Sequence, residues 1–325
     1  KGTTEKEINN MKRTRITAAV LSAALFLSAL LSGCGADALN EDLREKTKQE
    51  VLQYEQETDE QGIAVDLSEN PYYKTEQPGY EYSEPETITY PSGVTGTERH
   101  AMVLLPADYD EDEEYPVLYL LHGMGGSHRT WRNKDAHIII QNLHYFYGVP
   151  EMITVFANSC VNEEESTEDL SLEDTVKAFD GTADDLVGSL MPYIEAHYSV
   201  KTGRENTAVA GNSMGGRNAL YAAFTHQDLF GYVGAFSSAH VLGSPDSGSV
   251  LPALISDFTV DPSVGGFEMV MVCVGRQDDV CGEESYRIDE NMTANGVDHI
   301  FYDMEGGHED SVWQNALYNF GERLF

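Results

Sequence analysis

From Thr87 onward the chain alternates short apolar runs with longer amphipathic stretches, and the two patterns predict different elements. The runs predict strands at Thr87–Tyr90, His100–Leu105, Pro116–Leu121, Met152–Ala157, Thr207–Gly211, Tyr232–Phe236, Glu268–Val274 and His299–Met304. Val117 to Leu121 and Met269 to Val274 are apolar throughout, as expected of strands covered on both faces. The amphipathic stretches predict helices near Ala136–Tyr147, Asp180–His197, Met214–Thr225, Glu283–Asn295 and His308–Phe325. Strand–helix alternation of this kind predicts an α/β fold, a mostly parallel sheet with helices on both faces. The first two strands lie close enough in sequence to form an antiparallel entry hairpin. In such a sheet the chemistry collects in the loops after the carboxyl ends of the strands.

A segment of different character precedes this pattern. Met11 is followed by Lys12, Arg13 and Arg15, then by an apolar stretch from Ile16 to Leu31 and the ending Leu31-Ser32-Gly33-Cys34. Basic residues, a short apolar stretch and small residues before a cut site read as a secretory signal over residues 11–33. The stretch is shorter than the roughly 20 residues that cross a bilayer. Leu-Ser-Gly-Cys resembles a bacterial lipobox, which would make Cys34 the lipidated first residue of an exported, membrane-anchored protein. An ordinary signal that happens to contain a cysteine is the alternative. Residues 1–10, ahead of Met11, read as a non-native or mis-called extension. Residues 34–85 are acidic, with Glu41, Asp42, Glu50, Glu55, Glu57, Asp59 and Glu60 and no sustained period. Too few apolar groups are present there to offset the entropy of ordering, so a flexible tether is expected. Residues 86–325 remain as one folded domain.

Composition narrows the partners. Lys and Arg total 20 against 55 Asp and Glu, a formal charge of −35, which argues against a surface that neutralises nucleic-acid phosphates. Four cysteines in 325 residues are too few for a disulfide scaffold, and none has zinc-site spacing. No metal cluster and no cofactor motif is apparent.

The chemistry sits in three loops. After the strand Thr207–Gly211 comes Gly211-Asn212-Ser213-Met214-Gly215-Gly216, which contains G-x-S-x-G. That form lifts a serine hydroxyl above a sheet on a sharp strand-to-helix turn, and its glycines remove side chains that would clash. A Gly-rich helix start with a capping serine is the plainer reading. The strand Val117–Leu121 ends in His122-Gly123-Met124-Gly125-Gly126. This turn can aim the Met124 N–H at the point addressed by the Met214 N–H, a pair that would make an oxyanion hole. A simple glycine turn is again the plainer reading, with His122 as a structural hydrogen-bonder. Chain order selects the rest, because an α/β-hydrolase runs serine, acid, histidine after successive strands. The acid is then Asp278, with Asp279 as runner-up, 65 residues beyond Ser213. The histidine is His308, in Glu305-Gly306-Gly307-His308, and His299 lies at the wrong end of its strand.

Tyr115 to Gly123, the Gly211–Gly216 elbow, His226-Gln227-Asp228-Leu229-Phe230-Gly231 and Gly306-Gly307-His308 together resemble the esterase D-like α/β-hydrolases. Within that group the chain is most similar to carbohydrate esterase family 1, the feruloyl and acetyl-xylan esterases. The resemblance runs from about Glu84 to the C terminus. It implies an eight-stranded sheet, a catalytic triad of Ser213, His308 and Asp278, and oxyanion donors at Met124 and Met214. The expected substrate is a small ester or an esterified plant polysaccharide. Val161–Asp174 departs from the family as an acidic insertion on the active-site side, read as a solvated loop.

Other residues admit two readings. Trp131 and Trp313 could stack on a sugar or aryl ring, or pack in the core or rim. Cys160 and Cys281 both follow strands on the active-site side, where a disulfide is conceivable, and Cys273 reads as buried. The leading function is a serine esterase. The rivals are a thioesterase or acyltransferase of the same fold, and a surface binding module without turnover.

Overall fold

The computed structural model describes residues 45, 46, 49, 58–243 except 69 and 71, and 255–325. The expectations for residues 1–10, the 11–33 signal and Cys34 lie outside the described residues. The chain divides into two units, Lys1–Tyr54 with Glu76–Glu81, and Glu55–Thr75 with Tyr82–Phe325. The second unit carries the fold described below.

Its eight strands are β1 (Glu86–Pro91), β2 (Glu98–Leu104), β3 (Val117–Leu121), β4 (Ile153–Ala157), β5 (Thr207–Asn212), β6 (Tyr232–Phe236), β7 (Met269–Gly275) and β8 (Ile300–Met304). They form one sheet in the order β1-β2-β4-β3-β5-β6-β7-β8. The hairpin expected at the start is present: β1 pairs antiparallel with β2, and β2 antiparallel with β4. Every other pairing is parallel, as strands joined by helical crossovers require. This is the α/β-hydrolase fold.

Side chains alternate across the pleat, which explains why the central runs are apolar without a break. Val117, Tyr119 and Leu121 of β3 enter one buried cluster, and Leu118 and Leu120 enter another. The helices, in chain order, are α1 (Thr130–Asn133), α2 (Ala136–Tyr147), α3 (Leu172–Asp180) and α4 (Thr182–Asp185). A π-turn at Leu186–Leu190 continues α4 into α5 (Met191–His197), followed by α6 (Met214–Thr225), α7 (Gly282–Ala294) and α8 (Asp310–Gly321). Residues of α6, α7 and the Leu186–Ile194 stretch cover the first face, and residues of α2 and α8 cover the second.

Two expectations need correction. The acidic stretch is not tether throughout, because Ile63, Ala64 and Leu67 are buried in the second cluster. The backbone there is bound too: Asn319 Oδ1 accepts the Ala64 N–H at 2.8 Å, and Asn315 Nδ2 donates to the Ala64 carbonyl at 2.7 Å. Three apolar residues among acids suffice once α8 offers amide side chains as partners. The insertion after β4 is not all loop either. It ends in α3, capped by Ser171, whose hydroxyl accepts the Asp174 N–H at 3.1 Å. Glu173 and Asp174 in its first turn suit the positive end of the helix dipole.

Candidate active site

The turn from β5 into α6 holds Ser213 at φ 56° and ψ −121°, a left-handed conformation costly for a residue with a side chain. Close packing forces it. A Cβ on Gly215 would lie 2.1 Å from the Leu121 carbonyl oxygen, and one on Gly211 would lie 2.5 Å from the Gly215 carbonyl carbon. The Ser213 backbone is then pinned from both sides. Its N–H donates to the Phe236 carbonyl at 2.9 Å, and its carbonyl accepts from Ala239 at 3.0 Å.

The loop after β3 comes up against this turn. A Cβ on Gly123 would sit 2.9 Å from the Ser213 Cβ, so only glycine allows the approach. Met124 follows directly. Met214 opens α6, where the first N–H groups have no acceptor inside the helix. His122 is fully buried, with Nδ1 2.7 Å from the Gly123 carbonyl oxygen and Nε2 accepting the Ser159 N–H at 2.9 Å. Burial lowers its pKa and favours the neutral ring, as a structural hydrogen-bonder requires.

The loops after β7 and β8 are stitched together. The Gln277 N–H donates to the Gly306 carbonyl at 2.9 Å, and the Gly306 N–H returns to Gln277 Oε1 at 2.7 Å. That stitching brings His308 Nδ1 to 2.8 Å from Asp278 Oδ2. Asp278 Oδ1 accepts the N–H groups of Val280 and Cys281 at 3.0 and 2.8 Å. Burial works to raise the Asp278 pKa, but the Cys281 N–H and the His308 ring outweigh it and hold the carboxyl below its ordinary value. The ionised carboxylate accepts from Nδ1–H, which leaves Nε2 as the basic nitrogen of a neutral ring. Asp278 is buried and Asp279 exposed, so the geometry separates the two neighbours.

Ser213 joins this pair less closely. Its hydroxyl lies against the Cys281 thiol, which burial pushes up to about 11 and which is therefore uncharged near neutrality. Among the described residues no hydrogen bond links Ser213 to His308.

The remaining candidates resolve plainly. His299 is paired with Asp289 at 2.9 Å and stands apart from the site. Cys160, Cys273 and Cys281 are free thiols, so no disulfide joins Cys160 to Cys281. Trp131 is buried, with its N–H on the Leu121 carbonyl at 3.0 Å, and Trp313 is only 8% exposed. Neither offers a face for stacking a sugar. Among the described residues no group of three or more His, Cys, Asp or Glu is placed to hold a metal ion.

Sequence reasoning missed Ser237, a fully buried residue at φ 49° whose hydroxyl faces the Asp278 carboxylate without reaching hydrogen-bond geometry. It also missed α3, whose Phe179 and Ala178 pack with Met214 beside Ser213. The Ser171–Asp174 capping pair was the available signal for α3.

A family model described as "Putative esterase" matches residues 92–322, most of the chain. The chain belongs to the Esterase family. A solved member, a CE1 ferulic acid esterase from the anaerobic fungus Anaeromyces mucronatus, is 34% identical over 78% of this chain and 95% of its own, with a TM-score of 0.69. An endo-1,4-beta-xylanase/feruloyl esterase of Xylanibacter ruminicola is 25% identical over 280 residues, or 82% of this chain. This chain spans 34% of that protein's length. An acetyl esterase of Caldicellulosiruptor saccharolyticus is 23% identical over 235 residues, covering 64% of this chain and 83% of the relative. This esterase therefore resembles carbohydrate esterase family 1 in sequence and in fold.

Proposed function

We propose that the chain is a serine carboxylic-ester hydrolase acting on feruloyl or acetyl esters of plant polysaccharide. The observation that carries the reading is the hydrogen-bonded Asp278–His308 pair at the top of the sheet that also bears Ser213 on its strained turn. The fungal relative has been solved in complex with ferulic acid, and the other two relatives are a feruloyl and an acetyl esterase by name.

In the proposed reaction Ser213 Oγ attacks the ester carbonyl as His308 Nε2 takes its proton. Asp278 orients the ring and stabilises its positive form. The N–H groups of Met124 and Met214 hold the oxyanion. Collapse breaks the C–O bond of the leaving alcohol, which receives the proton from His308. Water, deprotonated by the same nitrogen, then attacks the acyl-Ser213 ester, and collapse releases the acid and returns the proton to Ser213.

The test is acid release by wild type and Ser213→Ala from methyl ferulate, acetylated xylan and a thioester. Turnover of the oxygen esters that disappears in Ser213→Ala supports the reading. Preference for the thioester replaces it with a thioesterase, and equal turnover in Ser213→Ala removes the serine mechanism. Lipid anchoring at Cys34 belongs to the same proposal, resting on the Leu31–Cys34 motif. Cys34→Ala should move the protein from membrane to soluble fractions on expression in a bacterium, and unchanged retention would remove the anchor.

A further inference from the structure

Behind His308 stand residues with no part in the chemistry above that nonetheless bear on it in series. The Trp313 ring packs against the His308 ring at 85°, with centroids 5.0 Å apart. The Trp313 N–H is buried without a hydrogen-bond partner, so ring contacts rather than a polar bond hold the indole. Lys134 Nζ lies 4.6 Å from the centre of that ring and pairs with Asp310. The Lys134 carbonyl accepts from Gln314 Nε2 at 3.0 Å, and Gln314 Oε1 accepts from Lys74 Nζ at 2.8 Å. Lys74 lies upstream of the stretch that matches the family.

We propose that Lys134, seated on Trp313 and tied to Lys74 through Gln314, positions His308 for proton transfer. The inference rests on His308 being the base. His308 follows two glycines, Gly306 at φ 130° and Gly307, and so has little side-chain packing of its own loop to steady it. One hydrogen bond to Asp278 fixes a distance but leaves the ring free to turn about that bond. A perpendicular neighbour removes the freedom, provided the neighbour itself is fixed. The ammonium over the indole face supplies that fixation by attraction to the ring's electron density, and a guanidinium can do the same. Lys134, Trp313 and Lys74 are therefore positioning residues, none of which touches the reacting atoms.

The test uses the full chain and p-nitrophenyl acetate, with a melting curve for every variant. Since about 1 Å of misplacement can cost on the order of 10²-fold, Lys134→Met should lower kcat about tenfold. A shift in proton-transfer geometry with substrate binding intact should leave KM within about twofold. Trp313→Phe should resemble Lys134→Met, Lys74→Met should act in the same sense but by only about threefold, and Lys134→Arg should restore most of the rate. A merely structural role would lower the melting temperature without this kcat-against-KM split and without rescue by arginine. Wild-type kcat in Lys134→Met, beside an inactive His308→Ala, overturns the buttress and spares the base. An active His308→Ala overturns the base assignment instead.

Discussion

Asp278 divides its two oxygens, giving Oδ2 to His308 Nδ1 at 2.8 Å and Oδ1 to the N–H groups of Val280 and Cys281 at 3.0 and 2.8 Å. The backbone bonds fix the carboxylate in its loop, so its remaining oxygen presents a charge in a set direction. A ring held this way keeps one tautomer, and the rotation that would expose the wrong nitrogen is opposed. An amide in place of the carboxylate keeps the shape but loses the charge and presents the wrong partner for Nδ1–H. Asp278→Asn should therefore lower kcat on an aryl acetate by on the order of 10³–10⁴. Asp279→Asn, at an exposed position outside the pair, should change kcat by less than about twofold. The reverse order at equal melting temperature would move the acid by one residue.

The same carboxylate makes stability depend on pH. Its folded pKa lies below its ordinary value, so the folded state binds its proton less readily than the unfolded chain does. The stabilisation is thus complete above the unfolded value of about 3.9 and is lost as pH falls through the folded one. The urea midpoint of wild type should exceed that of Asp278→Asn near neutrality, and the gap should close below about pH 4. A gap that widens on acidification would contradict the depressed pKa.

Ser213 holds a costly backbone conformation. At φ 56° and ψ −121° any side chain is strained, and glycine is not. Ser213→Gly and Ser213→Ala should both abolish turnover, but the glycine variant should be the more stable of the two by about 1 kcal/mol. Thermal melting of the pair checks this. Equal stabilities would mean that the surrounding contacts with Phe236, Ala239 and Gly123 relax enough to relieve the turn.

Which parts of this arrangement were legible in the sequence follows from what each part depends on. Strand β3 and helix α6 read correctly because a five-residue apolar run and a helical period are local signals, and both matched their observed ends closely. The elbow, Asp278 and His308 could be picked out because each follows a strand in fixed chain order, with glycines wherever backbones had to touch, and the structure sets Asp278 and His308 within hydrogen-bond reach. Ser237 was invisible, since its place near Asp278 depends on β6 lying beside β7 in the sheet, a pairing between segments far apart in sequence. Helix α3 was hidden by its charge: Glu173, Asp174 and Lys177 face solvent and mask the short buried stripe of Thr175, Ala178 and Phe179. Trp313 showed only as an aromatic of uncertain exposure, because the Lys134 cation that sits on it comes from the other end of the domain.

The stretch around Ile63 gives the sharpest test of where the domain begins. Local composition there is acidic, and the family model matches only from residue 92, so neither composition nor that model marks Ile63 as part of the fold. The structure makes it fully buried, next to Ala64, whose backbone N–H and carbonyl are both taken by amide side chains of α8. A dispensable tether would tolerate truncation of this side chain, since an exposed isoleucine buries nothing. A core residue would not, because Ile63→Ala removes apolar contact and leaves a cavity that α8 can only partly close. The expected cost is about 2–4 kcal/mol, read as a lowered urea midpoint at unchanged slope. Catalysis offers a second readout, since α8 starts at Asp310, two residues past His308, and carries Trp313. Loosening its far end should therefore reduce the melting temperature first and kcat, measured well below that temperature, only slightly. A midpoint indistinguishable from wild type would return Ile63 to the tether and set the start of the domain at β1.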